Sequence, residues 1–402
     1  MSAVSEAPAE ERDNSSAVAL YSNVGHLLTH MVTILYATAV LHLPTVFELP
    51  YGEMLGLSSL GLVLYGIAAL PAGWLGDRWS QVGMMVVFFV GIGIGSVVTG
   101  LADGKVGLFI GLTLLGLFAA IYHPVGIAWL VATARRRGIT LGINGVFGGT
   151  GSALAPPFVG LMIDYFSWRE AFVIPGVFSI IAGVWLWYAW KRGDVSDARV
   201  DRTQTPAAGA SAIKRAFIVL TLTMMCNGFV YSGLTSTMPK LFEIGLGPSM
   251  ASSYTEIGLY AGAVIGFASF SSLLGGWLAD RISPRLIYIA LWAVLTVPLF
   301  FVTSMFGAGL VSIVAAVLIV NTGFAAAENM LVAEYTPFEW RALAYGAKFV
   351  LALGVGGLTV HVAGVLFDAN GNFDLLYALF GIAAILATIC ALLLPGRRAA
   401  AT

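Results

Sequence analysis

Apolar residues fill the chain in long blocks that are separated by short polar segments. Each block is about 20 residues or longer, the length that a helix needs to cross the hydrocarbon core of a bilayer. The pattern therefore predicts an all-α membrane protein with twelve spanning helices, six in each half of the chain. In chain order the predicted helices are α1 (20–47), α2 (53–75), α3 (82–101), α4 (106–133), α5 (138–163), α6 (170–190), α7 (214–242), α8 (252–279), α9 (286–305), α10 (308–335), α11 (342–367) and α12 (373–395).

The polar segment between α6 and α7 divides the chain into two bundles. Residues 192–213 combine charged side chains with a Thr-Gln-Thr-Pro sequence, a composition typical of a linker. The predicted organisation is a disordered cytoplasmic tail (1–19), an N-terminal six-helix bundle (20–191), this cytoplasmic linker, a C-terminal six-helix bundle (214–395) and a second cytoplasmic tail (396–402).

A repeated motif relates the two bundles. Residues 73–78 (GWLGDR), which follow the second apolar block, return as residues 276–281 (GWLADR), and 276 − 73 = 203. An offset of half the chain predicts two homologous halves in a pseudo-symmetric arrangement. Further pairs at a spacing of 204 are Gly142 with Gly346, Asn144 with Lys348, Gly160 with Gly364, and Asp164 with Asp368.

Composition and charge place the chain in a membrane and orient it. Hydrophobic residues make up 58% and charged residues 10% of the sequence, and the mean hydropathy of +0.89 excludes a water-soluble domain of this size. Of the 20 Lys and Arg residues, three lie on the predicted outer side (Lys105, Arg169 and Lys240) and Lys348 lies within a span, which leaves 16 on the inner side. This bias predicts a multi-pass inner-membrane protein with both termini in the cytoplasm.

Histidines are the first candidates for chemistry, because all five lie in predicted spans. Ionisable groups in hydrocarbon are costly and usually face the protein interior or an aqueous cavity. His26 and His30 share one stripe of α1 with Asn23 and Thr33, which predicts that they contact a substrate. Hydrogen bonding to neighbouring helices is the alternative. The spacing also suits two metal ligands, but no third ligand lies in α1, so we predict no metal site.

Glu328 in α10 and Lys348 in α11 form the second candidate group. Each lies about two turns from the predicted cytoplasmic end of its helix, so adjacent helices would hold the two side chains at similar depth. One interpretation is a structural salt bridge between the helices. The other is functional: Glu328 carries a proton, and Lys348 receives an anionic substrate or keeps the carboxylate ionised.

Further polar side chains in the spans suit a cavity that binds an amphipathic solute. We predict a cavity lined mainly by α1, α4, α5, α7, α8, α10 and α11, with His123 as a second candidate for proton coupling. The predicted substrate-binding residues are His26, His30, Tyr122, His123, Asn144, Asn227, Tyr231 and Lys348.

The repeated G-x-L-x-D-R motif and the twelve spans resemble the major facilitator superfamily. Within it, residues 25–31, 122–124 and 344–357 resemble the fosmidomycin-resistance-protein group, although α1 departs from that group at His30 and α4 at Val125. The resemblance implies two bundles that rock about a midplane site to give alternating access. It also implies a cytoplasmic gate, formed by Asp77, Arg78, Asp280 and Arg281, that closes in one state and opens in the other.

The α5 sequence resembles the family's antiporter motif, through Gly142, Gly151, Pro156 and Gly160. The resemblance favours export or exchange, whereas Leu112 stands where proton-driven exporters carry an arginine. We therefore predict a secondary active transporter for a small organic anion or drug-like compound, with proton coupling through Glu328 or His123 as a hypothesis.

Three other interpretations stay open at this point: a non-transporting receptor or assembly factor, a metal-ion transporter that uses the α1 histidines, and an intramembrane metalloenzyme. The predicted partners are a small-molecule substrate, the lipid bilayer and protons. We predict a monomer that is not an enzyme, with no cofactor and no nucleic-acid partner.

Overall fold

The computed structural model describes residues 14–198, 210–279, 281–323, 325–336 and 341–395, and within these ranges every regular element is a helix. Each of the twelve predicted spans falls on a helix or on consecutive helical pieces. Nine spans are single helices: α1 (Ser15–Ala39), α3 (Gln81–Gly100), α5 (Arg137–Tyr165), α6 (Glu170–Lys191), α7 (Ala210–Gly245), α8 (Tyr254–Ala279), α9 (Pro284–Phe301), α11 (Arg341–Asn370) and α12 (Asp374–Leu392). The other three consist of consecutive pieces: α2 (Tyr51–Gly56, Ser59–Ile67, Ala69–Arg78), α4 (Lys105–Ala119, Tyr122–Gly126, Ile127–Thr133) and α10 (Gly307–Gly323, Ala325–Tyr335).

Prolines explain the largest departures from the predicted bounds. The α1 helix ends at Ala39 and a one-turn helix with Pro44 near its start follows, because proline cannot donate an amide to the preceding turn. Pro71 has the same effect in α2, whose last two pieces meet at a bend of 41°. In α4, Pro124 lies in a π turn, Tyr122–Gly126.

Span lengths fit a bilayer. In the described part of the chain, ten helices are long and apolar enough to cross a membrane, or eleven if the bent pair in α2 is counted as one span. The remaining predicted span is α8, a helix of 26 residues. At 1.5 Å per residue it is about 39 Å long, which exceeds the roughly 30 Å of hydrocarbon that a span must cross.

Glycines bring the two bundles together along α5 and α8. A Cβ on Gly160 would lie 2.2 Å from the carbonyl oxygen of Tyr254, and a Cβ on Gly258 would lie 2.4 Å from that of Pro156. The α2 and α11 helices approach as closely, since a Cβ on Gly52 would lie 1.9 Å from the carbonyl oxygen of Gly364. Any larger side chain at these positions would push the bundles apart.

These contacts lie toward one end of the molecule. We call the end at which α1 finishes and α2 begins the far face, and the end at which α1 begins and α12 finishes the terminal face. On α5, contacts to the other bundle continue back from Gly160 as far as Gly149, whose Cβ would lie 2.9 Å from Ser269. One turn further toward the terminal face, Cβ atoms on Gly145 and Gly142 would meet nothing within 4 Å among the described residues. The described parts of the two bundles are therefore in close contact toward the far face and, along α5, separated toward the terminal face.

The start of the predicted linker packs against the N-terminal bundle. Asp197 Oδ1 accepts hydrogen bonds from Ser80 Oγ (2.9 Å) and from the amide of Val82 (2.9 Å), at the beginning of α3. Trp129 Nε1 donates to the carbonyl oxygen of Ser196 (3.0 Å). The predicted tail boundary also shifts, because α1 begins at Ser15 rather than at residue 20. Residues 199–209 and 396–402 lie outside the described part of the chain.

Candidate functional site

Three histidines meet in the N-terminal bundle. His26 and His30 lie one turn apart on α1, and the π turn of α4 places His123 beside both. The ring centroids are 4.9 Å apart for His26 and His30, 5.6 Å for His26 and His123, and 5.4 Å for His30 and His123. One ring nitrogen from each histidine lies within 4.8 Å of the corresponding nitrogens of the other two. The sequence placed His123 in the same predicted cavity as His26 and His30, but periodicity along α1 carries no information on α4 and could not show that the three rings meet. We call these residues the histidine cluster.

A hydrogen-bond network around Asn144 of α5 fixes the cluster's position. Tyr122, which stacks on His26 at a centroid distance of 4.9 Å, donates its hydroxyl to the carbonyl oxygen of Ser22 (2.8 Å). The Asn144 amide nitrogen donates to Asn23 Oδ1 (3.0 Å) and lies 2.9 Å from the Tyr122 hydroxyl. Because α1, α4 and α5 all contribute partners, Tyr122 and Asn144 organise the site as well as line it.

One histidine tautomer follows from the same network. His26 Nδ1 lies 2.7 Å from the carbonyl oxygen of Asn144, which can only accept, so Nδ1 carries the proton and Nε2 carries the lone pair. His123 Nδ1 lies 3.2 Å from the hydroxyl of Tyr65 on α2. For both rings the Nδ1 edge is engaged with a neighbour, and Nε2 is the nitrogen on the other edge.

The C-terminal bundle holds an ion pair between two of its spanning helices, α10 and α11. Lys348 Nζ lies 2.6 Å from Glu328 Oε1, and the Glu328 side chain is 0% exposed. Tyr288 of α9 donates its hydroxyl to Glu328 Oε2 (2.9 Å). Lys348 Nζ also donates to Asn329 Oδ1 (2.7 Å). The predicted proximity of Glu328 and Lys348 is confirmed, and Tyr288 and Asn329 are additional partners that helix depth alone did not indicate.

The two groups occupy equivalent places in the repeat. Asn144 corresponds to Lys348, because 144 + 204 = 348, and Pro124, next to His123, corresponds to Glu328, because 124 + 204 = 328. One half therefore presents imidazoles and an amide where the other presents a carboxylate and an ammonium group. Such a pair of sites suits an asymmetric solute with a charged end.

The other predicted substrate-binding residues lie on α7. Asn227 Oδ1 accepts a hydrogen bond from Asn321 Nδ2 of α10 (3.1 Å), and Tyr231 follows one turn later and is partly buried. The two remaining histidines lie elsewhere: the His42 ring centroid is 5.6 Å from that of Tyr254, and His361 Nδ1 would lie 3.4 Å from a Cβ on Gly56.

The predicted gate residues lie at the terminal face. Asp77, Arg78 and Arg281 are exposed. The guanidinium of Arg78 lies 5.4 Å from the ring centroid of Trp74, and that of Arg281 lies 4.0 Å from the ring centroid of Trp277. Each arginine thus stacks on a tryptophan of its own bundle, as expected of an open terminal face. Asp280 lies outside the described residues.

A family comparison identifies the chain. The family model described as Major Facilitator Superfamily matches residues 23–359, which is most of the sequence. The chain belongs to the Major Facilitator Superfamily. The matched region includes both the histidine cluster and the Glu328–Lys348 pair. The comparisons carry no information on the finer resemblance to the fosmidomycin-resistance group, which stays a prediction.

Curated relatives in the superfamily are transporters. The chain is 27% identical to a probable sulfoacetate transporter of Cupriavidus necator, with 83% of this chain and 85% of the relative covered. It is 26% identical to human monocarboxylate transporter 11, with 81% and 71% covered. The chain is therefore a multi-pass membrane transporter of a small molecule and not an enzyme.

Solved structures of superfamily members share the fold. A bacterial homologue of the lysosomal transporter Spinster, in an inward-facing and occupied conformation, matches with a TM-score of 0.72 at 16% identity over 94% of this chain and 96% of that chain. A peptide transporter in complex with sulfate matches with a TM-score of 0.75 at 14% identity over 94% and 93%. These likenesses confirm the predicted fold class.

Proposed function

We propose that this protein is a proton-coupled secondary transporter of small organic anions. The observation that carries the proposal is the buried ion pair between Glu328 and Lys348. Charges within a membrane span are costly, and a pair that is retained there is a functional candidate by default. An anion and a proton are the two ligands for which these two side chains are chemically suited.

The pair couples the two ligands through charge. While Glu328 is ionised, its carboxylate forms the salt bridge with the ammonium group of Lys348. Protonation of Glu328 removes that negative charge and leaves Lys348 available to a substrate carboxylate or sulfonate. Proton and anion therefore bind together, and their charges cancel during the passage across the low-dielectric interior. Tyr288, whose hydroxyl already contacts Glu328, keeps a hydrogen bond to the carboxyl group in either protonation state.

The histidine cluster and its neighbours in the N-terminal bundle receive the remainder of the substrate. We assign this role to His26, His30, His123, Tyr122 and Asn144, whose rings and amide offer hydrogen bonds and apolar surface. We assign Asn227 and Tyr231 of α7, together with Lys348, to the C-terminal side of the site. His123 is the second candidate for proton transfer, because its ring contacts both Tyr65 and the α1 histidines.

The relatives support a substrate with a small acidic group. Sulfoacetate carries a sulfonate and a carboxylate, and a monocarboxylate carries one carboxylate. A lysine at the substrate site fits both. Binding of anion and proton together also permits exchange of one anion for another, the mode that the α5 pattern favours.

Access to the site alternates between the two faces. The open terminal face is the cytoplasmic face by the distribution of Lys and Arg, so the structure corresponds to the inward-open state of the proposed cycle. In the opposite state, Asp77, Arg78, Asp280 and Arg281 would come together and close the cytoplasmic side. We place the protein in the inner membrane as a monomer, with both termini in the cytoplasm.

Transport in proteoliposomes tests the proposal. Small carboxylates and sulfonates are first screened for a rise in the melting temperature, because a ligand that binds only the native state stabilises it by mass action. For the most stabilising anion, a pH gradient should drive uptake in the parent protein. In Glu328→Gln we expect gradient-driven uptake to fall at least tenfold while anion exchange at equal pH continues, since Lys348 stays charged. In Lys348→Ala both modes should be lost.

A matched control lies on the same helix. Glu334 is exposed near the end of α10, so Glu334→Gln removes a carboxylate without touching the ion pair and should transport like the parent. Gradient-driven uptake at the parental rate in Glu328→Gln would exclude Glu328 as the proton carrier.

A further inference from the structure

We propose that the histidine cluster binds a divalent transition-metal cation of the Zn²⁺ type. Three imidazole nitrogens from two helices lie within 4.8 Å of one another, which is the donor number of open zinc sites. Imidazole favours Zn²⁺, Cu²⁺, Ni²⁺ and Co²⁺ over Mg²⁺ and Ca²⁺, which take oxygen ligands. The cluster is in the N-terminal bundle, so the inference is independent of the role of Glu328 and Lys348.

The distances require only a small adjustment. Zn–N bonds of about 2.0–2.1 Å in a tetrahedral arrangement place ligand nitrogens roughly 3.3 Å apart. The nitrogens of the cluster must therefore approach one another by no more than about 1.5 Å, which rotation about the side-chain bonds can supply. The α1 spacing of four residues already holds His26 and His30 on one side, and His123 completes the set from α4.

The hydrogen bonds of two of the rings match those of metal-bound histidines. A ligating histidine usually donates a hydrogen bond from its other ring nitrogen to a carbonyl, a carboxylate or a water, and this bond fixes the tautomer and the orientation of the ring. His26 already does so through Nδ1 to the carbonyl oxygen of Asn144, and His123 Nδ1 contacts the Tyr65 hydroxyl. In both rings the nitrogen that faces away from the partner, Nε2, is the natural ligand.

Gly148 of α5 lets the His26 ring pack against the backbone of that helix. A Cβ on Gly148 would lie 2.6 Å from His26 Nε2, so any side chain there would press on the nitrogen that we assign as a ligand. Glycine leaves that volume to the ring. Three protein ligands also leave one tetrahedral position open, which an anion or a water could fill.

Cobalt binding to the full-length protein tests the proposal. The protein is purified with an affinity tag that lacks histidine, stripped with a chelator and titrated with Co²⁺. Four-coordinate Co²⁺ with nitrogen ligands absorbs visible light far more strongly than aqueous Co²⁺. We expect an intense band that saturates at about one Co²⁺ per chain and disappears when Zn²⁺ is added, in line with the higher affinity of nitrogen sites for Zn²⁺ than for Co²⁺.

Variants distinguish the cluster from other histidines. The chain has five histidines, so His26→Gln, His30→Gln and His123→Gln can be compared with His42→Gln and His361→Gln. Each cluster variant should weaken binding at least a hundredfold and abolish the band, whereas both controls should bind like the parent. Tyr65→Phe removes only the hydroxyl next to His123 and should weaken binding about tenfold.

Two results would overturn the proposal. One is a titration in which Co²⁺ keeps its aqueous spectrum at every concentration. The other is an equal loss of affinity in the cluster variants and in His42→Gln or His361→Gln, which would place the metal elsewhere. Neither result bears on the proposed role of Glu328 as proton carrier, because the uptake assay of Glu328→Gln measures a group in the other bundle.

Discussion

Lys348→Ala is expected to cost about 3–5 kcal/mol of folding free energy at neutral pH. The substitution leaves the fully buried carboxylate of Glu328 without its cation, and one unpaired ion in a protein interior is destabilising by that amount. The free energy of unfolding in mixed detergent micelles measures the effect.

The double variant Glu328→Gln/Lys348→Met should recover most of this loss. Replacing both members of a buried ion pair by neutral groups of similar volume is often neutral or stabilising by about 1–4 kcal/mol. Stability alone therefore does not explain why an ion pair stands at this position. We therefore expect the double variant to be as stable as the parent and inactive in both gradient-driven uptake and exchange.

An exposed pair provides the comparison. Lys105 and Glu53 form a salt bridge of 3.2 Å with side chains that are 57% and 41% exposed, and Lys105→Ala should cost at most about 1 kcal/mol. Lys348→Ala within that same range at neutral pH would mean that Glu328 is not held as an ion. A stable double variant with full transport activity would favour the purely structural interpretation of the pair.

The sequence predicted these helices well because apolar length and periodicity are local properties. It also predicted the proximity of Glu328 and Lys348, because two opposite charges at the same depth on adjacent helices are each other's nearest available partners. It could not predict that His123 joins His26 and His30, because that contact depends on which faces of α1 and α4 pack together. Nor did helix periodicity indicate that Asn144 contributes its backbone carbonyl as well as its side chain.

The repeat carried information that a single helix did not. It related Asp164 to Asp368 through the spacing of 204, which predicts equivalent roles in the two halves. The identity of their partners depends on the packing of α5 with α8 and of α11 with α2, and only the structure supplies it. These two aspartates form the far-face contacts described below.

Each aspartate binds the start of a helix in the opposite bundle. Asp368 at the end of α11 accepts hydrogen bonds from the amides of Gly52 (2.7 Å) and Glu53 (3.0 Å), which are the second and third residues of α2. Asp164 at the end of α5 accepts from the amide (2.7 Å) and hydroxyl (2.6 Å) of Thr255 in the first turn of α8. Amides in the first turn of a helix have no partner within the helix, and the helix dipole attracts a carboxylate there.

Asp164→Asn/Asp368→Asn should therefore open the far face. A carboxylate at a helix N-terminus contributes about 0.3–2 kcal/mol, so removal of both charges should shift the equilibrium toward the state open at the far face by roughly 1–4 kcal/mol. That corresponds to a change of roughly 5-fold to several hundredfold in the population ratio. We expect the single variants to give about half of the free-energy shift each, as two equivalent contacts should.

Distances between spin labels measure this shift. Labels at Gly104→Cys, where a Cβ would meet nothing within 4 Å, and at the exposed Phe306→Cys, on the far face of the other bundle, are introduced after Cys226 and Cys390 are replaced by serine. The double variant should add a longer distance population that the parent shows weakly or not at all. Asp374→Asn is the matched control, because it removes an exposed carboxylate at the same face in the first turn of α12. Identical distance distributions in the parent and the double variant would show that the two aspartates do not hold the far face closed, and that the glycine contacts between the bundles are sufficient.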